Sequence, residues 1–219
     1  MKSILPLLFL VLSIPALSQT RFSEGTILYD IVINTSGGDK SKTKNSEYLD
    51  GSTVSNYIKG SKTRSEMVSP LGTLTTIADT AKNSIVILRE FGEQKYMITL
   101  TSADWKDVNR QLEGIQYTMV PGEEKTILGR RCLKAIGTLK EGTIYTVWYT
   151  PELVPENKNF QYETRMLPGL ALEYEVKSGG QTMTYTASKI NIGPVPAAKF
   201  DLPKSGYRVM TYAESKGKN

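Results

Sequence analysis

The segment "LPGLALEYEV", residues 167–176, joins a Pro-Gly step to a strongly patterned run of residues. Successive side chains of a β-strand point to opposite faces of a sheet. Along this run the larger apolar side chains fall on one face, at Leu170, Leu172, Tyr174 and Val176. Glu173 and Glu175 fall on the other face. The alternation predicts a strand with one face on the core and one face in water.

The Pro-Gly step directly before this strand predicts a type II turn. Proline fixes φ near the value required at the second turn position, and glycine tolerates the positive φ of the third. Pro168 and Gly169 would then form the centre of the turn, with Leu167 and Leu170 at its outer positions. We therefore expect the turn to set the direction of the strand while both leucines stay near the core.

Most other segments repeat the period-two pattern and are separated by short turns that contain glycine. About ten strands joined in this way indicate an antiparallel meander. The stretch at 34–46 is rich in Gly, Lys, Ser and Thr, and we interpret it as a mobile loop. The predicted strand segments include "GTILYDIVIN" (25–34), "TLTTIAD" (73–79), "NSIVILREF" (83–91), "KTILGRRCLKAIGTL" (125–139) and "TIYTVWYTPEL" (143–153).

One segment, "SADWKDVNRQLEG", has a helical pattern instead. Ser102 is a suitable N-cap and Gly114 a suitable residue just after the end. Trp105, Val108 and Leu112 are spaced as one helical face. The sequence therefore predicts a single main helix over about 102–113 that packs on the sheet through Trp105.

Several strands are apolar on both faces. Ile85 and Ile87 face one way, and Val86 and Leu88 the other. The strand around Trp148 has the same property. An antiparallel sheet with one wet face should carry polar residues there. Such strands therefore need cover on both sides, or one side lines an apolar cavity, and both alternatives remain open at this point.

The chain opens with "MKSILPLLFLVLSIPALSQT", which has the pattern of a secretory signal peptide over residues 1–18. Its apolar run is about half of the roughly 20 residues that a membrane span needs, although an uncleaved anchor is the alternative. We expect one domain at 19–219, periplasmic or secreted, soluble and without an integral membrane span. No cysteine follows the cleavage site, so we do not expect a lipoprotein.

Composition restricts the chemistry. The chain has no histidine, which excludes Ser-His-Asp and Cys-His catalysis and His-ligated zinc. The single cysteine, Cys132, cannot form an internal disulfide, and we expect it to be buried. The charge of +5 is spread out, and no nucleic-acid-binding motif is present. We predict no catalytic residue, no cofactor, no metal and no nucleic-acid partner; Glu173 and Glu175 share a strand face, but that face is expected to be solvated.

The motifs resemble those of the GLPGLI family of exported bacterial proteins of unknown function. "LPGL" before an apolar-acidic strand matches the family signature, and "LGRRCLKA" (128–135) and "WYTPEL" (148–153) match two further segments in order. "FDLPKSGY" (200–207) resembles the ending of a related family of unknown function that overlaps it. Met166 stands where the first glycine of the signature is usual, and Ala171 where isoleucine is usual.

These families resemble the LolA-like superfamily. The resemblance implies a mainly β (α+β) fold: a strongly curved antiparallel sheet that forms an incomplete barrel, with helix on its concave side. Members carry lipoproteins or bind lipids, so the implied partner is a lipid, an acyl chain or a lipidated client protein. The alternative is a protein–protein interaction module of the cell envelope with a solid core. Candidate residues of a hydrophobic cavity are Trp105, Trp148, Leu170, Leu172 and Tyr174.

Overall fold

The computed structural model describes residues 19–35, 50–140, 142, 144–178 and 181–217. The predicted signal peptide, residues 1–18, lies outside the described residues. The same holds for most of the stretch that the sequence marks as a loop, except that Asn34 and Thr35 continue a strand.

The described residues form fourteen strands and two α-helices. The strands are β1 (Thr20–Phe22), β2 (Glu24–Thr35), β3 (Thr53–Lys59), β4 (Lys62–Ser69), β5 (Gly72–Asp79), β6 (Ser84–Phe91), β7 (Gln94–Leu100), β8 (Gln116–Ile127), β9 (Arg130–Thr138), β10 (Ile144–Thr150), β11 (Leu153–Pro155), β12 (Leu170–Ser178), β13 (Gln181–Ile192) and β14 (Arg208–Thr211). The α-helices are α1 (Ser102–Val108) and α2 (Tyr212–Lys216), and 3-10 turns occupy Arg110–Leu112 and Ala197–Phe200.

Twelve strands form one large curved sheet in the order β14-β7-β6-β5-β4-β3-β2-β13-β12-β10-β9-β8. Every neighbouring pair in it is antiparallel except β14 with β7. The two ends of the series do not pair, so the sheet is the open, incomplete barrel predicted from the sequence. Strands β1 and β11 form a separate parallel pair.

The strand prediction missed one hairpin turn and two C-terminal elements. "KTILGRRCLKAIGTL" is not one strand, because Leu128 and Gly129 both have positive φ and form the turn between β8 and β9. Positive φ at both central residues is typical of a type I′ hairpin turn, which usually carries Asn-Gly rather than Leu-Gly. The strand β14 and the short helix α2 were also not predicted.

The predicted helix is shorter than expected. Helix α1 ends at Val108, and the 3-10 turn follows Asn109. Its N-cap is Thr101 rather than Ser102: the Thr101 hydroxyl accepts from the Asp104 amide, and the Asp104 carboxylate accepts from the Thr101 amide. This reciprocal capping box satisfies two amides that the helix itself cannot pair.

The type II turn predicted at Pro168-Gly169 is wrong. Gly169 does not have the positive φ that the turn requires. Glycine is needed there for space, because a Cβ atom would lie 2.1 Å from the carbonyl oxygen of Thr150. The expectation that the flanking leucines stay in the core is confirmed, since Leu167 and Leu170 are fully buried.

Strand β6, which is apolar on both faces, is covered on both. Ile87 packs with Trp105 of α1 and Met210 of β14. On the opposite face Val86 and Leu88 pack with Ile77, and Tyr207 of the C-terminal segment joins them. Cover therefore explains the pattern along most of this strand, while Ile85 near its start lines the cavity described below.

The sheet divides into two halves by what fills its inner face, which is the face covered by α1 and the segment 156–169. The packed half is β2, β13, β12, β10, β9 and β8. The cavity half is β3–β7 with β14. The main core cluster lies chiefly on the packed half, where Tyr29, Val147 and Leu172 are fully buried.

Candidate ligand cavity

A cavity of about 610 Å³ lies against the inner face of the cavity half. Its floor comes from alternate positions of neighbouring strands: Asn56 on β3, Thr63 and Ser65 on β4, and Thr76 and Ala78 on β5. The register pairs Asn56 with Ser65 and Ser65 with Thr76, so these side chains lie side by side on one face. Most of them are small, and this leaves room above the sheet.

The roof of the cavity is α1 together with the segment 159–165. A tyrosine of the packed half helps to hold this segment in place, because the Tyr117 hydroxyl donates to the Glu163 carbonyl at 2.8 Å. Just beyond the segment, on β12, the Tyr29 hydroxyl donates to the Ala171 carbonyl at 2.7 Å. Lys158 donates to the Leu167 carbonyl at 2.7 Å. Fixed in this way, a segment without regular structure can serve as a stable wall.

One part of the wall is apolar. Trp105 lines it and meets Tyr162 edge to face, with ring centroids 6.2 Å apart. Phe160, Leu74 and Ile85 complete this part. Edge-to-face aromatic pairs contribute beyond their buried area, so the two rings hold α1 and the 159–165 segment together.

The inner end of the cavity holds a carboxyl group among tyrosines. The rings of Tyr174 and Tyr185 stack with centroids 4.5 Å apart, and both line the cavity. The Tyr174 hydroxyl donates to the Glu163 carboxyl group, and burial raises the pKa of Glu163 above its ordinary value. Burial also raises the pKa of Tyr174 well above its ordinary value and that of Tyr185 to about 12. The tyrosines are therefore neutral at physiological pH.

Two buried amide side chains in the wall have an atom without a hydrogen-bond partner among the described residues. These atoms are Oδ1 of Asn56 and Nε2 of Gln161. The two residues are only 1% and 4% exposed. Most buried polar side-chain atoms in proteins have a hydrogen-bond partner, so two unpartnered atoms in the wall of one cavity need an explanation.

Charged groups at the helix side of the cavity are already engaged with each other. Glu113 accepts hydrogen bonds from the Tyr162 hydroxyl and, at 3.5 Å, from the Arg165 guanidinium. The Arg165 guanidinium also lies 3.5 Å from the centre of the Tyr162 ring. These contacts hold the pKa of Glu113 below its ordinary value, with the Tyr162 hydrogen bond as the largest cause.

Of the five residues predicted to line a cavity, two do so. Trp105 and Tyr174 line it, whereas Leu170 and Leu172 are fully buried within the main core cluster instead. Trp148 is not in the cavity wall. Its ring is capped by Lys125 and Lys134, whose amino groups lie 4.6 and 5.7 Å from its centre.

The position of Trp148 follows from register. It lies opposite Lys134 on β9 and Glu173 on β12, on the solvated face of the sheet. Glu173 forms an ion pair with Lys125 there. The aromatic ring is thus an apolar surface for lysine stems rather than a cavity wall.

The sequence reasoning missed the residues that give the cavity its polar character: Asn56, Gln161 and Glu163. Gln161 and Glu163 lie in "ENKNFQYET", which has no strand or helix period. The position of Asn56 was a detectable signal. It falls on the apolar face of β3, between Val54 and Ile58, where an amide needs an explanation.

The Cys132 thiol and possible metal ligands are the other chemical candidates of the chain. Cys132 is buried as predicted, and burial raises the pKa of its thiol to about 11. In the part of the chain that the structure describes, no group of three or more His, Cys, Asp or Glu side chains is arranged to hold a metal ion.

The chain is similar to several solved structures. An uncharacterized conserved protein from Thermus thermophilus superposes with a TM-score of 0.52 at 8% identity, over 86% of this chain and 90% of that one. PNGF-II gives a TM-score of 0.48 at 13% identity over 89% of this chain, which spans about a third (33%) of that protein. A chain of the Pseudomonas aeruginosa MucA/MucB complex gives a TM-score of 0.41 at 15% identity, over 81% of this chain and 56% of that chain.

No family model and no curated protein sequence matches the chain. The open, incomplete barrel is shown by the architecture, while the LolA-like superfamily and membership of the GLPGLI family stay predictions. Among the described residues, no helix is long and apolar enough to cross a bilayer.

Proposed function

We propose that this protein is an exported, non-catalytic binding protein of the cell envelope that holds a lipid or another amphipathic molecule in the cavity under α1. The cavity itself carries the proposal: about 610 Å³ of space between the sheet and its cover. This volume is within the range of roughly 300–1,000 Å³ typical of small-molecule sites. An apolar wall section beside a few inward polar groups is also typical of such sites.

The apolar section can supply the binding free energy. Each methylene removed from water contributes about 0.8 kcal/mol, before the cost of ordering the ligand is subtracted. The rings of Trp105 and Phe160 offer the large, rigid contact surfaces on which a chain would lie. A ligand there would replace solvent without requiring the sheet to open.

Tryptophan fluorescence can test the proposal directly. The chain contains two tryptophans, so Trp148→Phe leaves Trp105 as the only reporter. Titration of this variant with monomyristoylglycerol, myristate and lysophosphatidylcholine should change its emission with at least one of them. The melting temperature should rise in parallel, by the equivalent of about 2.7 kcal/mol at one hundred times the dissociation constant.

A filled cavity provides the control. Ala78 lies in the cavity floor, so Ala78→Phe should weaken binding at least tenfold by occupying the space. Ala81 is exposed in the turn that follows β5 and is not in the wall, so Ala81→Phe should bind like the parent. Unchanged fluorescence and melting with all three probes would refute the proposal.

The alternative function, an interaction module with a solid core, has less support. Strand addition needs an open sheet edge. The β8 edge carries Pro121, a register irregularity between Val120 and Glu124, and charged side chains, all of which discourage pairing with another strand. The opposite edge, β14, is only four residues long.

Export of the protein also belongs to the proposal. It rests on the signal-peptide pattern at residues 1–18, which predicts a mature chain that begins at Gln19. N-terminal sequencing of protein from the periplasm or medium tests it. A start before Ala16 or after Phe22 would contradict it.

A further inference from the structure

The two unpartnered amides indicate what kind of polar group the cavity accepts. A buried polar atom left without a partner costs about 1–3 kcal/mol. Asn56 and Gln161 lie on different elements, one on β3 and one in the covering segment, yet both line the same cavity. One group of a bound molecule, or two adjacent groups, would remove this cost at both.

The orientation of the Gln161 amide limits which polar groups of a ligand can pair with it. Its Oε1 lies 3.4 Å from the Tyr29 hydroxyl and 3.2 Å from the Thr164 hydroxyl. The single Tyr29 proton is already directed at the Ala171 carbonyl at 2.7 Å, so it does not also reach Gln161. The Thr164 hydroxyl still donates to this oxygen, so Oε1 is held in place and the amide presents Nε2 as an open donor.

A ligand group that serves both amides must accept from Gln161 Nε2 and donate to Asn56 Oδ1. Hydroxyl and amide groups do both, whereas a carboxylate only accepts and an ammonium only donates. Asn56 supplies the complementary open atom, an amide oxygen that can only accept. This favours an uncharged head group.

The charged side chains of the wall also favour an uncharged head group. An anionic head would lie beside the carboxyl group of Glu163, which lines the cavity. Of the two wall cations, Arg165 is engaged with Glu113 and Tyr162, and Lys106 is exposed at the rim. The buried part of the cavity therefore offers a carboxylate or phosphate little compensation for the water that it loses.

We propose that the cavity selects an amphipathic molecule whose buried polar end is uncharged and carries hydroxyl or amide groups. That end bonds Asn56 and Gln161, and its apolar chain lies against Trp105 and Phe160. This inference rests on the proposed function and names the ligand class for the same cavity. A monoacylglycerol has the required chemistry, and a fatty-acid anion of equal chain length does not.

Three probes with one chain length test the selection on the otherwise unaltered Trp148→Phe protein. Monomyristoylglycerol, myristate and methyl myristate share the chain and differ in the head. The monoacylglycerol should bind at least about tenfold more tightly than either of the others. If all three bind alike, or myristate binds best, the head-group inference is wrong while ligand binding stands; if none binds, the proposed function itself fails.

Substitution of the amide gives a second, independent measurement. Asn56→Leu keeps the branched shape of the side chain, with a larger volume, and removes the open polar atom. It should abolish the preference for monomyristoylglycerol over methyl myristate and raise the melting temperature of the empty protein. Thr76→Val, elsewhere in the same floor, is the matched control and should preserve the preference. If Asn56→Leu keeps the full preference, Asn56 does not read the head group and the inference is overturned.

Discussion

The two halves of the sheet have the same strand architecture but different inner faces. In the packed half the inner face carries large side chains, such as Tyr29 and Val147, that are fully buried in one core cluster. In the cavity half the corresponding positions carry Thr63, Ser65 and Thr76. The comparison shows that side-chain volume along a few strands, rather than the strand pairing, decides where a barrel is solid and where it is hollow.

The covering elements strengthen this contrast. The segment 156–169 covers both halves and places different side chains against each. Leu167 is fully buried in the packed half, whereas Gln161 and Glu163 face the cavity. The cover of the cavity half thus combines the polar side chains of Gln161 and Glu163 with the apolar rings of Trp105 and Phe160.

The largest expected effect compares one leucine from each half. Leu172→Ala removes a fully buried side chain from the main core and should cost about 4 kcal/mol of unfolding free energy. Leu74→Ala, beside the cavity, should cost only about 1 kcal/mol, because part of that side chain already faces open space. Urea unfolding monitored by circular dichroism measures both, and equal losses would contradict the division into halves.

The next effect concerns the contact that starts β12. Gly169→Ala would place a Cβ atom 2.1 Å from the Thr150 carbonyl oxygen, so the backbone must shift, at a cost of about 3 kcal/mol. Gly193 also has ordinary φ, and the nearest atom to its added Cβ would be 4.0 Å away. Gly193→Ala should therefore be nearly neutral. A small shift in the melting temperature of Gly169→Ala would show that this approach is not tight.

A smaller effect is the pH dependence that Glu163 confers. Because the folded protein raises the pKa of this carboxyl group, its contribution to stability is complete below the ordinary glutamate pKa of about 4.3 and is lost as pH rises through the raised value. Glu163→Gln should remove this decline and make the protein more stable than the parent at neutral pH. Melting curves between pH 4 and 8 test it.

The control for that series is Glu156→Gln, an exposed position in the same covering segment. It should leave the pH profile as it is in the parent. If Glu163→Gln also leaves the profile unchanged, Glu163 is solvated rather than buried against Tyr174.

The last prediction concerns access of solvent to the two halves, with the smallest expected effect on stability. Thiol labelling measures it. Cys132 is buried in the packed half with a pKa of about 11, so the native protein should react with maleimide very slowly at pH 7.5. A cysteine introduced at Ser65, in a Cys132→Ala background, lies in the cavity floor and should react on the order of a hundred times faster. Equal rates would mean that the cavity is closed to small molecules.

Several features of the fold could be predicted from sequence because they depend on local pattern. The period-two alternation and the glycine turns predicted an antiparallel sheet, and the spacing around Trp105 predicted the helix on it. The prediction failed where the same residue type can serve two different structural purposes. Gly169 suggested positive φ, but the structure uses its missing side chain to let Thr150 approach.

The candidate site was predicted less well for a related reason. Aromatic size suggested Trp148 as a cavity residue, yet register with Lys134 and Glu173 puts it on the solvated face. The polar wall residues Gln161 and Glu163 lie in a segment without periodicity, so no local rule assigns them a face. Tertiary contacts, such as the hydrogen bond from the Tyr117 hydroxyl to the Glu163 carbonyl, determine where it lies.

By itself the sequence determined the fold class, the position of the main helix and the burial of Cys132. Tertiary structure alone decided that the hollow lies over β3–β6, that an irregular segment covers it, and that Asn56 and Gln161 meet there. The physical reason is that strand and helix patterns report which side of an element is buried. They carry no information on which distant segment covers that side, or on how much space remains between the two.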